Sequence, residues 1–160
     1  MAEVEVTFVW EGVDDVLARL QKLGERMQTS IPRKAARRGM NLVRDSARAN
    51  AQKIDDTSTV PPLGSTIYRN IITQESGRRG KRLGGILMRV GVRGGAVTRK
   101  GVKRKPGGIG GTTPHWRHVE LGTEHMEARP FMRDALMRNQ GAVADTVAEE
   151  IRNELDKAGV

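Results

Sequence analysis

The chain has 160 residues, with 28 Lys and Arg against 19 Asp and Glu for a formal net charge of +9, enough for one ordinary domain with a core of its own. With no cysteine, disulfides, thiolate zinc sites, iron–sulfur clusters and cysteine nucleophiles are excluded. No apolar run approaches the length of a membrane span, and the start Met1-Ala2-Glu3-Val4-Glu5 is acidic where a signal peptide is basic, so a soluble protein without a visible export signal is expected.

Val4, Val6, Phe8 and Trp10 alternate with Glu3, Glu5, Thr7 and Val9, the period of a strand with one buried face, and Gly12 ends it. Asp14 or Asp15 then caps a short helix in which Val16 or Leu17, Leu20, Leu23 and Met27 recur at spacings of three and four, stopping between Gly24 and Ser30. Ser30-Ile31-Pro32 predicts the start of a long helix, with a capping hydroxyl and a proline in the first turn. Its inner stripe is Ala36, Met40, Val43, Ala47, Ala51 and Ile54. Arg33, Lys34, Arg37, Arg38, Arg44 and Arg48 lie on the remaining faces, which are ordinarily solvated.

Asp55 to Gly64, with Thr-Ser-Thr and Pro61-Pro62, reads as a connector. Ser65 to Glu75, with Ile67, Tyr68, Ile71 and Ile72, fits a helical turn leading into a strand or one strand throughout, and the turn followed by a strand is preferred. Gly77 to Gly85 is read as a basic, glycine-broken turn, and Ile86, Met88, Val90 and Val92 as the buried face of a second strand. Gly94-Gly95 suggests a hairpin turn, with Ala96-Val97-Thr98 beginning the return. The residues around 94–114 have almost nothing to bury and predict a flexible basic loop. His115 to Leu121 brings the chain back to the core as a strand, with His115 and His118 flanking Trp116 at its entrance. Pro130 then opens a last helix with Met132, Leu136, Val143, Val147, Ile151 and Leu155 on one face, Phe131 and Ala135 beside them, and a kink or soft middle at Gly141. The acidic Glu149, Glu150, Glu154 and Asp156 oppose the dipole at its C-terminal end, so a basic neighbour, from this chain or another subunit, is expected beside them.

Basicity is local. Twelve Lys and Arg and no Asp or Glu lie between Ser76 and Val119, leaving 16 basic against 19 acidic residues elsewhere, a net of −3. Such a segment points to contact with a polyanion or with an acidic protein surface. Arg99, Lys100, Lys103, Arg104 and Lys105 are its densest part and the candidate contacts with DNA or with an adjoining protein. Aromatics are 3% of the chain, too few for a stacking platform for single strands.

Little else suggests chemistry. His115, His118 and His125, with Glu120, Glu124 and Glu127 among them, could be drawn as a divalent-metal site, but none of the fixed ligand spacings is present, so no metal is expected. Gly107 to Gly111 is followed by Thr112-Thr113-Pro114 rather than by the lysine and helix of a phosphate loop, so no nucleotide cofactor is expected. No serine-nucleophile motif or acid–base carboxylate pair is found, and nothing argues for catalysis.

One stretch carries more. Val119-Glu120-Leu121-Gly122-Thr123, a short gap, and Ala128-Arg129-Pro130-Phe131-Met132-Arg133-Asp134-Ala135-Leu136 resembles the signature of the neck and tail-completion family of long-tailed double-stranded DNA bacteriophages, putting Val119, Glu120, Gly122, Thr123, Pro130 and Phe131 in the family-signature positions. The resemblance implies an α+β fold similar to tail-terminator subunits, with a small antiparallel sheet packed against a long central helix and a C-terminal helix. The three amphipathic helices and half-buried strands independently favour such packing in a single domain, 1–160. It also implies a non-enzymatic virion protein that needs no cofactor and assembles in the host bacterial cytoplasm. Its partners would be copies of itself in a hexameric or dodecameric ring that lets DNA pass, and neighbouring head-closure, tail-terminator or tail-tube rings; no membrane is involved. The alternatives are the tail-terminator ring proper and a small basic nucleic-acid-binding protein, and a metal-dependent nuclease relying on His118 is remote.

Overall fold

The computed structural model describes residues 13–54, 63–93, 113 and 115–159. The described elements, in chain order, are α1 (Val13–Gln21), α2 (Glu25–Lys53), α3 (Leu63–Asn70), β1 (Ile71–Glu75), α4 (Gly77–Leu83), β2 (Met88–Val92), α5 (Trp116–Leu121) and α6 (Met132–Lys157). The strand expected at Val4–Trp10, the connector from Asp55 to Pro62, the Gly94-Gly95 turn and the basic loop with Arg99, Lys100, Lys103, Arg104 and Lys105 lie outside the described residues.

The two long helices, α2 and α6, form the body. They run antiparallel, since Lys34 meets Glu154 and Arg38 meets Glu150 near one end, while Asn50 donates to the Phe131 carbonyl at the other. Small residues on α2 let the axes approach. Ala35, Ala47 and Ala51 are fully buried, and a Cβ on Gly39 would lie 2.7 Å from Val147 Cγ2 and 3.1 Å from the Val143 carbonyl oxygen.

Helix α2 starts at Glu25, ahead of the expected start at Ser30. Gly24 sits in an extended conformation and its carbonyl takes the Met27 and Gln28 amides, so the helix is already under way when Pro32 removes one bond. Buried Ile31 and Ala35 on either side of the proline hold that turn in place. Met27 accordingly belongs to α2 rather than to the apolar face of α1, and it is exposed.

The main core gathers Val43, Ala47 and Ala51 of α2, Ile67 of α3, Ile71 of β1, Val119 of α5, and Phe131 and Ala135 at the head of α6. A second, smaller cluster joins Leu23, Ile31 and Leu155, with Val16 and Ile151 packed against it. On α6 the expected face holds at Met132, Val143, Val147, Ile151 and Leu155, while near its head Ala135 is buried and Leu136 is exposed. The helix is unbroken through Gly141, whose missing side chain faces open space.

Strands β1 and β2 pair antiparallel, Ile71 opposite Val92 and Glu75 opposite Met88, and the ladder is prolonged by Arg93 N–H to the Asn70 carbonyl and Ser76 N–H to the Leu87 carbonyl. Val90 and Val92 lie against the core. Arg48 ties the sheet to α2, donating from Nε and Nη2 to the Ile71 carbonyl at 3.0 and 2.7 Å. The α+β reading holds: a small antiparallel sheet rests on a long helix and a C-terminal helix.

Two further local expectations fail. The supposed turn at Gly77–Gly85 is helix α4, closed by Gly84 in the left-handed conformation (φ 70°). The supposed strand at His115–Leu121 is helix α5, so the segment from Gly122 to Phe131 joins two helices rather than a strand and a helix. In both segments apolar residues are too few to impose a period, and short-range amide bonds decide the conformation.

Candidate functional site

All six signature residues lie where α5 turns into α6. Helix α5 buries Val119 and Glu120 and stops at Gly122, whose φ of 75° and ψ of 176° belong to a region that is essentially glycine-only. A Cβ there would lie 2.8 Å from the Ala128 amide nitrogen and 2.9 Å from the Met126 carbonyl oxygen, so both the conformation and the space require glycine. Exposed Thr123 shapes the loop: its amide donates to the Met126 carbonyl at 2.8 Å, and its hydroxyl accepts the His125 amide. The chain folds back until the Arg129 amide donates to the Val119 carbonyl at 2.8 Å.

This return delivers the start of α6 to Glu120. Its Oε2 accepts the amides of Phe131 and Met132, both at 2.9 Å, and its Oε1 accepts the amide of Arg133 at 2.8 Å. A helix leaves its first amides without intrahelical partners, and Pro130 has no N–H to satisfy. One carboxylate, only 7% exposed, therefore serves three donors of the opening turn and places its negative charge at the positive end of the helix dipole. No local side chain caps this helix. Phe131, 1% exposed, is driven into the main core by the same geometry.

The other end of α6 is held by charges from α2 and α1. Arg38 Nη1 lies 2.6 Å from Glu150 Oε2, Lys34 Nζ lies 2.8 Å from Glu154 and 3.5 Å from Glu150, and Arg19 Nη2 lies 2.9 Å from Asp156. The hydrogen bond from Arg38 holds the Glu150 carboxyl below its ordinary value, against the opposing effect of burial. The bond from Lys34 lowers Glu154 likewise, and Glu154 in turn raises Lys34. The basic neighbour expected for these acids thus comes from within the chain. Arg33 pairs with Glu75, so most of the α2 face expected to be merely solvated is bonded to the rest of the molecule.

Neither cluster offers a reactive group. Glu120 is occupied by three amides, and among the described residues no group of three or more His, Asp or Glu is placed to hold a metal ion. No described helix is long and apolar enough to cross a membrane. A groove of about 560 Å3 between α1, α2, α6 and the Gly84–Ile86 turn is lined by residues such as Leu17, Pro32, Ala36, Val147 and Ile151, none of its lining side chains being ionisable.

Sequence reasoning singled out Glu120 without finding its role, because a cap supplied from eleven residues away leaves no mark at the helix start other than Pro130. It passed over Gly39, whose signal was a glycine inside an otherwise regular helical stripe.

The helix pair is thus pinned by a buried carboxylate at one end and by matched ions at the other. The sequence matches the profile of the family described as "Bacteriophage HK97-gp10, putative tail-component" over residues 14–122, well over half of the chain, and the protein belongs to that family. It is accordingly a bacteriophage tail component, a structural protein of the virion that works against other tail or neck proteins. Val119, Glu120 and Gly122 fall inside the match, and Thr123, Pro130 and Phe131 lie just beyond it. Searches of curated proteins and of solved structures gave no match.

Proposed function

We propose that the protein is a non-enzymatic ring subunit of the head–tail joint, completing or connecting the tail at the neck and letting DNA pass. Membership of the tail-component family carries this reading. The capped α5–α6 junction supports it, since a part that must stack with copies of itself needs an invariant shape, and Glu120, Gly122, Pro130 and Phe131 fix the angle at which α6 leaves. The ring is hexameric or dodecameric, its neighbours are head-closure and tail-terminator or tail-tube rings, and Arg99, Lys100, Lys103, Arg104 and Lys105 meet the adjoining ring or the DNA. A closed ring requires a head-to-tail interface, one face of each subunit against a different face of the next.

Sedimentation and electron microscopy of the purified protein test the reading: rings are expected, and a particle that stays monomeric beside isolated heads and tails overturns it. Replacing the five loop residues by serine should lower the joining of heads to tails while leaving the melting curve unchanged. An unaltered infectious titre removes the loop from the mechanism.

A further inference from the structure

The cations of the chain fall into two kinds. Those of α2 are largely used internally: Arg33, Lys34 and Arg38 pair with Glu75, Glu154 and Glu150, and Arg48 bonds a carbonyl of β1. Helix α4 differs. In seven residues it carries Arg78, Arg79, Lys81 and Arg82, all four exposed and none paired with an acid among the described residues.

The arrangement is directional. At about 100° per residue, the four side chains cover an arc of roughly 160°, and the point opposite the centre of that arc is Gly80. Gly80 is the one buried residue of α4, and a Cβ on it would lie 2.7 Å from the Gly85 carbonyl oxygen. The helix is pressed by its glycine face onto its own C-terminal turn, where the Gly85 amide donates to the Gly80 carbonyl at 3.0 Å. At its other end the Gly80 amide donates to the Ser76 carbonyl at 2.7 Å, and the adjoining Ser76 amide bonds the Leu87 carbonyl across the base of the hairpin. The connection between β1 and β2 is therefore a fixed platform that turns four cations outward.

We infer that α4 is a docking surface for the phosphate backbone of duplex DNA. Three of the four cations are arginines, whose planar guanidinium suits two phosphate oxygens at once. Ser76 to Val119 contains no acid to compete for them. The helix carries no aromatic residue on which an unpaired base could stack, so it binds the duplex backbone without reading sequence. The surface is distinct from the Arg99–Lys105 segment and does not require a ring.

The test is anisotropy of a fluorescent mixed-sequence duplex of about 20 base pairs, titrated with the full-length protein across a potassium chloride series. Changing Arg78, Arg79, Lys81 and Arg82 together to glutamine removes the charge and keeps helix-forming side chains. Each lost phosphate contact takes about 0.9 from the steepness of log affinity against log salt, so with all four lost the slope should fall by about 3.6 and the affinity at low salt by tenfold or more. The three Arg→Lys changes, which keep the charge, should hold the slope within one contact of the parent. A monomeric parent that binds through α4 upholds the inference even as it defeats the ring reading. Three results overturn it: no salt-dependent binding by the parent protein, an unchanged slope in the glutamine variant, or a glutamine variant that binds DNA normally but no longer associates with its own copies.

Discussion

The two ends of α6 solve the same problem with different partners. At its N-terminal end a buried glutamate meets three backbone amides, all at 2.8–2.9 Å. At its C-terminal end a buried glutamate meets side chains, Arg38 and Lys34, whose own exposure is considerable at 64% and 54%. The amides are fixed by the helix itself and lose no rotamer freedom in making the bond, whereas Arg38 and Lys34 must give up several torsions each. The first arrangement should therefore be the stronger, nearly insensitive to salt, and intolerant of substitution. The second should be weaker, and sensitive to pH and ionic strength.

The largest effect is expected at the amide-bound end. Gly122→Ala places a Cβ against two backbone atoms of the loop in a conformation that alanine scarcely adopts, and should cost about 3 kcal/mol or more in urea unfolding. Glu120→Ala leaves one buried and two part-buried amides without their acceptor and should cost about 3 kcal/mol. Glu120→Gln, which keeps one acceptor oxygen and turns an NH2 toward the remaining donors, should fall between alanine and the parent. If Glu120→Ala melts within a degree of the parent, the carboxylate is not what holds the opening turn.

A smaller effect tests whether the helix pair itself depends on close approach. Gly39→Leu must displace Val143 and Val147 across the α2–α6 contact, and overpacking of this kind costs about 1–3 kcal/mol. Gly39→Ala suffers the same clash in milder form and regains up to about 1 kcal/mol in helix propensity, so it should lie nearer to neutral. An increase in stability for the leucine variant would show that the axes can separate freely.

How much of this was legible beforehand follows from the range of the forces involved. The long helices were readable because Val43, Ala47 and Ala51, or Val147, Ile151 and Leu155, repeat at the helical period over several turns. The start of α2 was not, since Glu25 begins it through the backbone of Gly24 and no capping side chain marks the place. Helix α4 was hidden by its four glycines in nine residues, Gly77 to Gly85, which normally signal a turn and here let the helix fold closely onto its own end. Helix α5 was too short for a period to emerge. At the junction, Gly122, Pro130 and Phe131 announced themselves by residue type. The bonds of Glu120 did not, because the loop between it and α6 must fold before the two can meet.

The smallest effects belong to the ion-bound end, and pH separates it from the rest. Glu150 and Glu154 have carboxyls below their ordinary value of 4.5 in the folded protein. The folded state therefore holds fewer protons than the unfolded one near that pH, and stability rises with pH there. Their contribution is complete above the unfolded value and is lost as pH falls through the folded values. At the alkaline limit Lys34, raised above 10.5 by Glu154, contributes fully below that value and loses its contribution as pH climbs through its folded value. Glu150→Gln should thus lower the melting temperature modestly at neutral pH and flatten its decline on acidification below about pH 4.5. Added salt should narrow the gap between parent and variant, because partners as exposed as Arg38 and Lys34 are screened. Arg19→Ala, which breaks the pair with the largely exposed Asp156, should change stability by no more than about 0.5 kcal/mol. A Glu150→Gln variant whose acid decline parallels that of the parent would show that Arg38 and Lys34 only decorate the surface, and that α6 is held almost wholly by its core and its amide cap.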